Sequence, residues 1–458
     1  MPKGIEARLT LAVLAYAALQ VVLRLLIGPA LELDEAEAFY QSRHLALGYG
    51  PQPPLYFWLQ WGLFRVLGEG LLALALLKEA ILAGTVLGLF AMLRREAGAW
   101  PAAVAALSLS LLPQVVWEGQ RALTHTMLAL FMAVVATGLF GRALASGRWR
   151  DHLVLGLTLG LGALSKFNFV LWPLALLAAA SLLPEWRGRL RPLRLGGAAA
   201  VAAVVVAPVA FWIARNPELA TASVAKLDFA RMDGVRARVE ATRDLLMASL
   251  TLVALAVLVL GGFALARRGP GARLAPLARL IGAAAGLSLA LLWLGLLASG
   301  ATEIAVRWLL PVAWGLVPVA VLGIWPRLGD GARRGLGWTV AAIWLVVVPL
   351  LPYASLVDPG YRGADFGPLV ERLQELTADE GRLLVEDQWV AGNLAFLAPD
   401  LAPRLIRPGD RAEPGAVVIR EQGADGGVDP APVGRDAGIV AIGHGGREVR
   451  VEITVEGP

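Results

Sequence analysis

The chain has 458 residues, of which 57% are hydrophobic and none is cysteine, with a formal net charge of +5. So large an apolar share exceeds what a soluble domain buries, which makes lipid the solvent for much of the chain. Without cysteine there are no disulfides and no thiolate chemistry. The arginine excess lies in short loops between apolar runs, with no basic patch interleaved with aromatics, so nucleic acid is excluded as a partner.

In chain order, apolar runs fall near 9–28, 71–93, 101–116, 124–144, 153–164, 169–183, 196–213, 245–266, 277–298, 306–324 and 336–351. A spanning helix needs roughly 20 mostly apolar residues, so these predict about eleven transmembrane spans, the short pair around Lys166 being the weakest. The aromatic-rich segment 53–67 reads as a helix lying at the interface.

Arginine sets the orientation. Lys3 and Arg8 precede the first run; Arg94 and Arg95, Arg142 to Arg150, Arg187 to Arg194, Arg267 to Arg273 and Arg327 to Arg334 follow alternate runs. Every second loop is basic and therefore cytoplasmic by the positive-inside rule. The N-terminus is then cytoplasmic, and everything after Pro352 is periplasmic. The first run is expected to be retained as an anchor, since acidic residues rather than a small-residue cleavage site follow it.

The tail differs in charge and pattern. From Tyr353 onward there are 10 Lys+Arg against 18 Asp+Glu. Strand-like runs at 382–386, 416–420, 438–442 and 448–455, with amphipathic helical stretches at 367–376 and 389–397, predict a small α/β domain. The expected division is 1–352 for the membrane domain, including a first periplasmic loop at 32–70 with interfacial helices, and 353–458 for the tail.

Polar residues gather at the outer ends of the spans. The first outer loop, LELDEAEAFYQSRHLALGYGPQPPLYFWLQ over 31–60, opens with Glu32, Asp34, Glu35 and Glu37. Carboxylates at a membrane surface can take a proton from a sugar hydroxyl, whereas a solvated acidic loop start is the plainer alternative. On a helix Asp34 and Glu35 would point in different directions. Pro51, Pro53 and Pro54 then stiffen the bend.

The second corner, WEGQRALTHTML, places Glu118, Arg121 and His125 at helical spacing. The third, LSKFNF, carries Lys166, one of only four lysines among 41 basic residues; a compact point charge there suits a phosphate, and an interfacial snorkelling residue is the plainer alternative. The fourth, ATEIAVRWLLP, has Glu303 and Arg307 one turn apart, which fits either an i,i+4 ion pair or a ligand contact. A mixed-charge segment over 215–244 reads as an interfacial or lid helix.

The stretches LDEAEAFY, LALGYGPQPPLYFWL, WEGQRALTHTML, GALSKFNFVLWP and VRWLLPVAW, in this order, resemble the GT-C superfamily of membrane glycosyltransferases. Within it they resemble the protein O-mannosyltransferase and aminoarabinose transferase group. GQRALTHT and SKFNF are most similar to bacterial lipopolysaccharide galacturonosyltransferases. The resemblance implies a polytopic α-helical GT-C fold and an inverting transfer from a polyprenyl-phosphate sugar to a lipid, polysaccharide or protein acceptor in the bacterial inner membrane. It implies Asp34 as the base, Glu35 as its neighbour positioning acceptor or water, and Lys166, Arg307 and Arg121 near the donor phosphate. Arg43, His44, Tyr49, Gln52, His125 and Glu303 are the candidates for substrate binding. Several relatives carry Asp where this chain has His125.

No cofactor is expected. Asp34, Glu35, His44 and His125 match no local metal-ligand spacing, so a divalent metal is not predicted. A transporter or flippase is the rival class. Mid-span charge is sparse, however, with Lys78 and Glu79 the visible exceptions, and a salt-bridged helix face accounts for those.

Overall fold

The computed structural model describes residues 3–222, 234–265, 273–301, 304–377, 382–407, 410, 412–413, 415–421, 435–444 and 447–455. Among these residues seven helices are long and apolar enough to cross a bilayer. They are Lys3–Leu26, Leu71–Ala97, Thr124–Ser146, Pro192–Arg215, Gly234–Leu265, Pro276–Ser299 and Asp330–Val357. Two further spans result if each bent pair counts once: Ala99–Leu111 with Gln114–Arg121, bent by 78°, and Val306–Ala313 with Leu316–Arg327, bent by 54°. The eleven expected runs exceed this by the pair around Lys166, Trp149–Ala163 and Phe167–Leu182. Fifteen residues of helix reach only about 23 Å, short of a bilayer core.

Helix ends follow local chemistry. Pro192 and Pro276 stand in the first turns of their helices, where a missing N–H costs nothing. Gly147 and Gly300 end theirs in the left-handed conformation, donating back to Ala143 and Leu296. The aromatic segment of the first loop forms the helix Leu55–Leu67. Of the segment expected as an interfacial or lid helix over 215–244, residues 223–233 lie outside the described residues, while 234–244 form the first turns of the helix Gly234–Leu265.

The chain divides into two compact units. One takes Met1–Leu19, Ala46–Trp58 and Lys78–Val347. Within it Trp149–Ala163 packs closely on Pro192–Arg215, and two glycines four residues apart permit the approach. A Cβ on Gly156 would lie 2.3 Å from the Ala198 carbonyl oxygen, and one on Gly160 would lie 2.7 Å from Val205. Small residues at this spacing let helix backbones meet where lipid provides no hydrophobic driving force.

The other unit takes Gln20–Leu45, Leu59–Leu77 and Val348–Pro458. Among the described residues its sheet has five strands, in the order β2-β1-β3-β5-β4. These are β1 (Leu383–Val385), β2 (Arg404–Leu405), β3 (Val417–Glu421), β4 (Arg435–His444) and β5 (Arg447–Val455). The first three run parallel, with Leu384 opposite Arg404 and Val418, while β5 is antiparallel to β3 and β4. The two-residue β2 has no sequence signature. The helix Gly367–Leu376 buries Leu369 and Leu373.

The same unit contains a buried ionic cluster. Arg24, inside the first apolar span, donates to both oxygens of Glu35 at 2.8–3.1 Å and to the carbonyls of Ile27 and Ala30. Arg362 donates to the other side of Glu35 at 2.9 Å and lies 3.9 Å from Glu32. Glu35 also accepts from the Glu32 amide, completing a capping box at the start of the helix Leu33–Gln41. Two guanidinium groups thus face two carboxylates. The helix Gln388–Leu397 closes over it: Trp389 and Asn393 donate to the Leu31 carbonyl, and Asn393 accepts from the Leu31 amide. A Cβ on Gly392 would lie 2.4 Å from the Ala36 carbonyl oxygen.

Glu35→Gln leaves two buried guanidinium groups short of a counter-charge, and the expected loss is about 3–5 kcal/mol. It should appear as a lower unfolding temperature of the detergent-solubilised protein, even without substrate; unchanged unfolding would refute the cluster's structural role. Gly156→Leu forces a side chain against backbone and should cost about 1–3 kcal/mol by the same measurement. Its neighbour Leu157, exposed on that helix, should tolerate substitution by Ala within roughly 0.5 kcal/mol.

Candidate active site

In the unit that holds most of the spans, four of the corners singled out from sequence come together. The first loop is tied to the third corner by the Leu55 amide, which donates to the Leu164 carbonyl at 2.9 Å. Its aromatic pair, Tyr56 and Phe57, packs on the buried ring of His125, with centroids 5.3 and 4.7 Å away. Lys166 connects the third corner to the second, its Nζ donating to Thr126 Oγ1 at 2.5 Å. Asn168 connects the third to the fourth, its side-chain amide donating to the Trp308 carbonyl at 2.7 Å.

The backbone at these corners departs from regular helix. Gln114–Glu118 is a π-helical turn, a short helix Gly119–Arg121 follows, and Leu123 then takes the left-handed conformation with φ 66°. For a branched residue that conformation costs on the order of 1–3 kcal/mol, and such strain collects at functional sites. The break lies between Arg121 and His125, so the shared helical face expected for Glu118, Arg121 and His125 is not formed. Spacing alone cannot register a left-handed residue inside the window. Arg121 instead lies over the Trp117 ring at 5.8 Å, half-buried.

Lys166 is extended and half-buried at the entry to the 3-10 turn Phe167–Val170. Arg307 is exposed in the first turn of Val306–Ala313. Arg121 and Arg307 thus each stand on one of the two bent spans, where interrupted helix is tolerated because it is buried in protein or lines a cavity. Lys78, the mid-span cation, donates from Nζ to the Gln120 carbonyl at 2.7 Å. Its neighbour Glu79 lines an apolar cavity of about 170 Å³ with Tyr16, Leu82 and Trp344.

Tyr49 and Gln52 occupy the bend before Leu55. Tyr49 Oη accepts from the Ala46 amide at 2.8 Å, and Trp58 donates to the Ala46 carbonyl at 2.7 Å, so the loop is locked on itself. Burial pushes the Tyr49 hydroxyl above the ordinary phenol range, against the pull of the Ala46 amide; it stays protonated. Gly48 lets the indole of Trp212 approach to where a Cβ would lie, 2.2 Å away. Gln52 is half-buried. Glu303 lies outside the described residues, and so does its pairing with Arg307.

In the second unit, Asp34 stands half-buried in the first turn of Leu33–Gln41. Glu35, one residue on, faces inward to Arg24 and Arg362, so the two neighbours do point apart. Arg43 pairs with Glu69 at 3.0 Å, while His44 is exposed. Among the described residues no three His, Cys, Asp or Glu side chains come together as a metal-holding group.

Arg24, Arg362, Thr126 and Asn168 were not singled out from sequence. Arg24 had a legible signal, a lone cation inside an apolar run, where ionisable residues are costly and nearly always partnered. The other three are ordinary polar residues whose roles come from long-range contacts.

A family profile described as "Dolichyl-phosphate-mannose-protein mannosyltransferase" matches residues 51–212. The lipopolysaccharide core galacturonosyltransferase RgtB of Rhizobium johnstonii is 33% identical over 400 residues, covering 83% of this chain and 79% of the relative. RgtA of the same organism is 32% identical, covering 84% and 80%. The crystal structure of ArnT from Cupriavidus metallidurans bound to undecaprenyl phosphate superposes with a TM-score of 0.63 at 15% identity, covering 98% of this chain and 99% of that one. Its apo state gives a TM-score of 0.65. The spans and the small α/β tail therefore have the fold of a GT-C membrane glycosyltransferase, and the chain belongs to the family of RgtA and RgtB.

Proposed function

We propose that this protein transfers a sugar, with inversion, from a polyprenyl-phosphate donor to a glycan acceptor at the periplasmic face of the bacterial inner membrane. The observation that carries this is the junction around Lys166: a lone lysine, held by Thr126 and set among corners fixed by Leu55, Asn168 and the His125 rings. A point charge immobilised beside span ends suits a lipid-borne phosphate, whose prenyl chain stays in the bilayer. The undecaprenyl phosphate bound to the structurally similar ArnT supports this donor class. The names of RgtA and RgtB make a galacturonosyl donor and a lipopolysaccharide core acceptor the first pair to test.

Asp34 accepts the proton of the acceptor hydroxyl. The freed oxygen attacks the anomeric carbon, the bond from that carbon to the phosphate oxygen breaks, and polyprenyl phosphate departs. Lys166, with Arg121 and Arg307, stabilises the charge that builds on the leaving phosphate. A preorganised donor of this kind lowers a barrier by roughly 3 kcal/mol. Glu35, enclosed by two arginines, holds the helix that presents Asp34 and takes no proton itself. Residues 1–352 carry the chemistry, with the N-terminus cytoplasmic, and 353–458 form a periplasmic domain.

Asp34→Asn should reduce transfer in isolated membranes about 100-fold or more while leaving the unfolding temperature unchanged. Undiminished transfer would remove Asp34 as the base. Lys166→Met should lower the donor-saturated rate about 100-fold, since the lost contact is made most strongly in the transition state. A change confined to the acceptor KM would place Lys166 elsewhere.

A further inference from the structure

The second unit contains a polar cavity of about 270 Å³ that the transfer chemistry does not use, lined by Tyr40, Arg43, His44, Glu69 and Pro403. Every wall carries a hydrogen-bonding group or a flat face. Arg43 and Glu69 are 3.0 Å apart and half-exposed, a donor and an acceptor side by side at the rim. A sugar hydroxyl both donates and accepts, so one hydroxyl, or two vicinal ones, can bridge such a pair.

The walls are preorganised. Tyr40 is fixed at its hydroxyl, which accepts from the Leu405 amide at 2.7 Å and donates to the Pro403 carbonyl at 3.3 Å. Its ring thereby becomes a rigid wall against which the C–H face of a pyranose can stack. Arg65 donates to the Arg43 carbonyl at 3.2 Å, which steadies the backbone beneath the guanidinium. A site held this way loses little side-chain freedom when a ligand enters.

Its location indicates which sugar it takes. Tyr40 is on the same helix as Asp34, Leu33–Gln41, six residues further along. Six residues advance a helix by about 9 Å and turn it about 120° from the starting face. A sugar in the cavity is therefore displaced both along and around the helix from the hydroxyl that Asp34 would deprotonate. It is a neighbour of the reacting unit. We propose that this cavity is an acceptor subsite, holding a sugar residue of the glycan one or two units from the hydroxyl that is modified. It rests on the assignment of Asp34 as base and of a glycan as acceptor.

The test uses the full-length protein in nanodiscs, titrated with lipid-free lipopolysaccharide core oligosaccharide, alongside transfer kinetics in which donor and acceptor are varied separately. Arg43→Gln and Glu69→Gln should each weaken oligosaccharide binding about tenfold, the loss expected for one charge-assisted hydrogen bond. They should raise the acceptor KM by the same factor, with the donor KM and the saturated rate unchanged. Asp34→Asn should bind the oligosaccharide as wild type does, although its transfer is reduced about 100-fold or more. His44→Ala, an exposed change that leaves the fold intact, keeps the test decisive if either other variant unfolds; it should weaken binding by a smaller factor. Binding by all three cavity variants that equals wild type, or a wild-type protein that fails to bind the oligosaccharide, would overturn the subsite. Loss of the Asp34 assignment would be read separately, as Asp34→Asn with full transfer.

Discussion

Much of the second unit depends on one carboxylate. Glu35 accepts from Arg24 on one side and Arg362 on the other, and it caps the helix on which it stands. Removing ions from water is costly, and the cost is recovered only when geometry is close and the remaining lone pairs are satisfied. Around Arg24 both conditions hold: Glu35 faces it at close range, and its surplus guanidinium donors go to the carbonyls of Ile27 and Ala30. The cluster fixes the exit of the first span, the 28–32 turn and the start of the tail relative to one another. Asp34 inherits its place from that arrangement, because the residue beside it cannot move.

The two acidic neighbours are placed differently for a geometric reason. Successive helix residues point about 100° apart, so burying one leaves the other toward the rim. Glu35 faces arginine, while Asp34 is half-buried in the first turn of the helix. An acidic pair in a motif need not be a pair of catalysts, since one member can orient the helix that offers the other.

The first unit uses a different device. Its corners are joined by hydrogen bonds of side chain to side chain, side chain to backbone and backbone to backbone: Lys166 to Thr126, Asn168 to Trp308, and the Leu55 amide to Leu164. Two bent spans and a left-handed Leu123 interrupt the helices at these corners. Regular helices would carry Arg121 and His125 on a common face. The interruptions place them independently, with Arg121 over Trp117 and His125 among Tyr56 and Phe57.

The sequence by itself determined the class of solvent, the order of spans and the strand and helix pattern of the tail, since hydropathy and period are properties of short windows. The helix Gly367–Leu376 matches its expected bounds, and all four expected strands match to within a few residues. The corner motifs were legible too, because polar residues at the ends of apolar runs stand out. Tertiary structure alone decided which of them meet. Arg362 lies 327 residues from Glu35, and Asn168 lies 140 from Trp308, separations no local pattern encodes. The strand β2 has two residues and only its neighbour's edge to define it. Even Arg24, visible as a charge in lipid, could not name its partner, because a buried ion's counter-charge is fixed by packing and not by spacing.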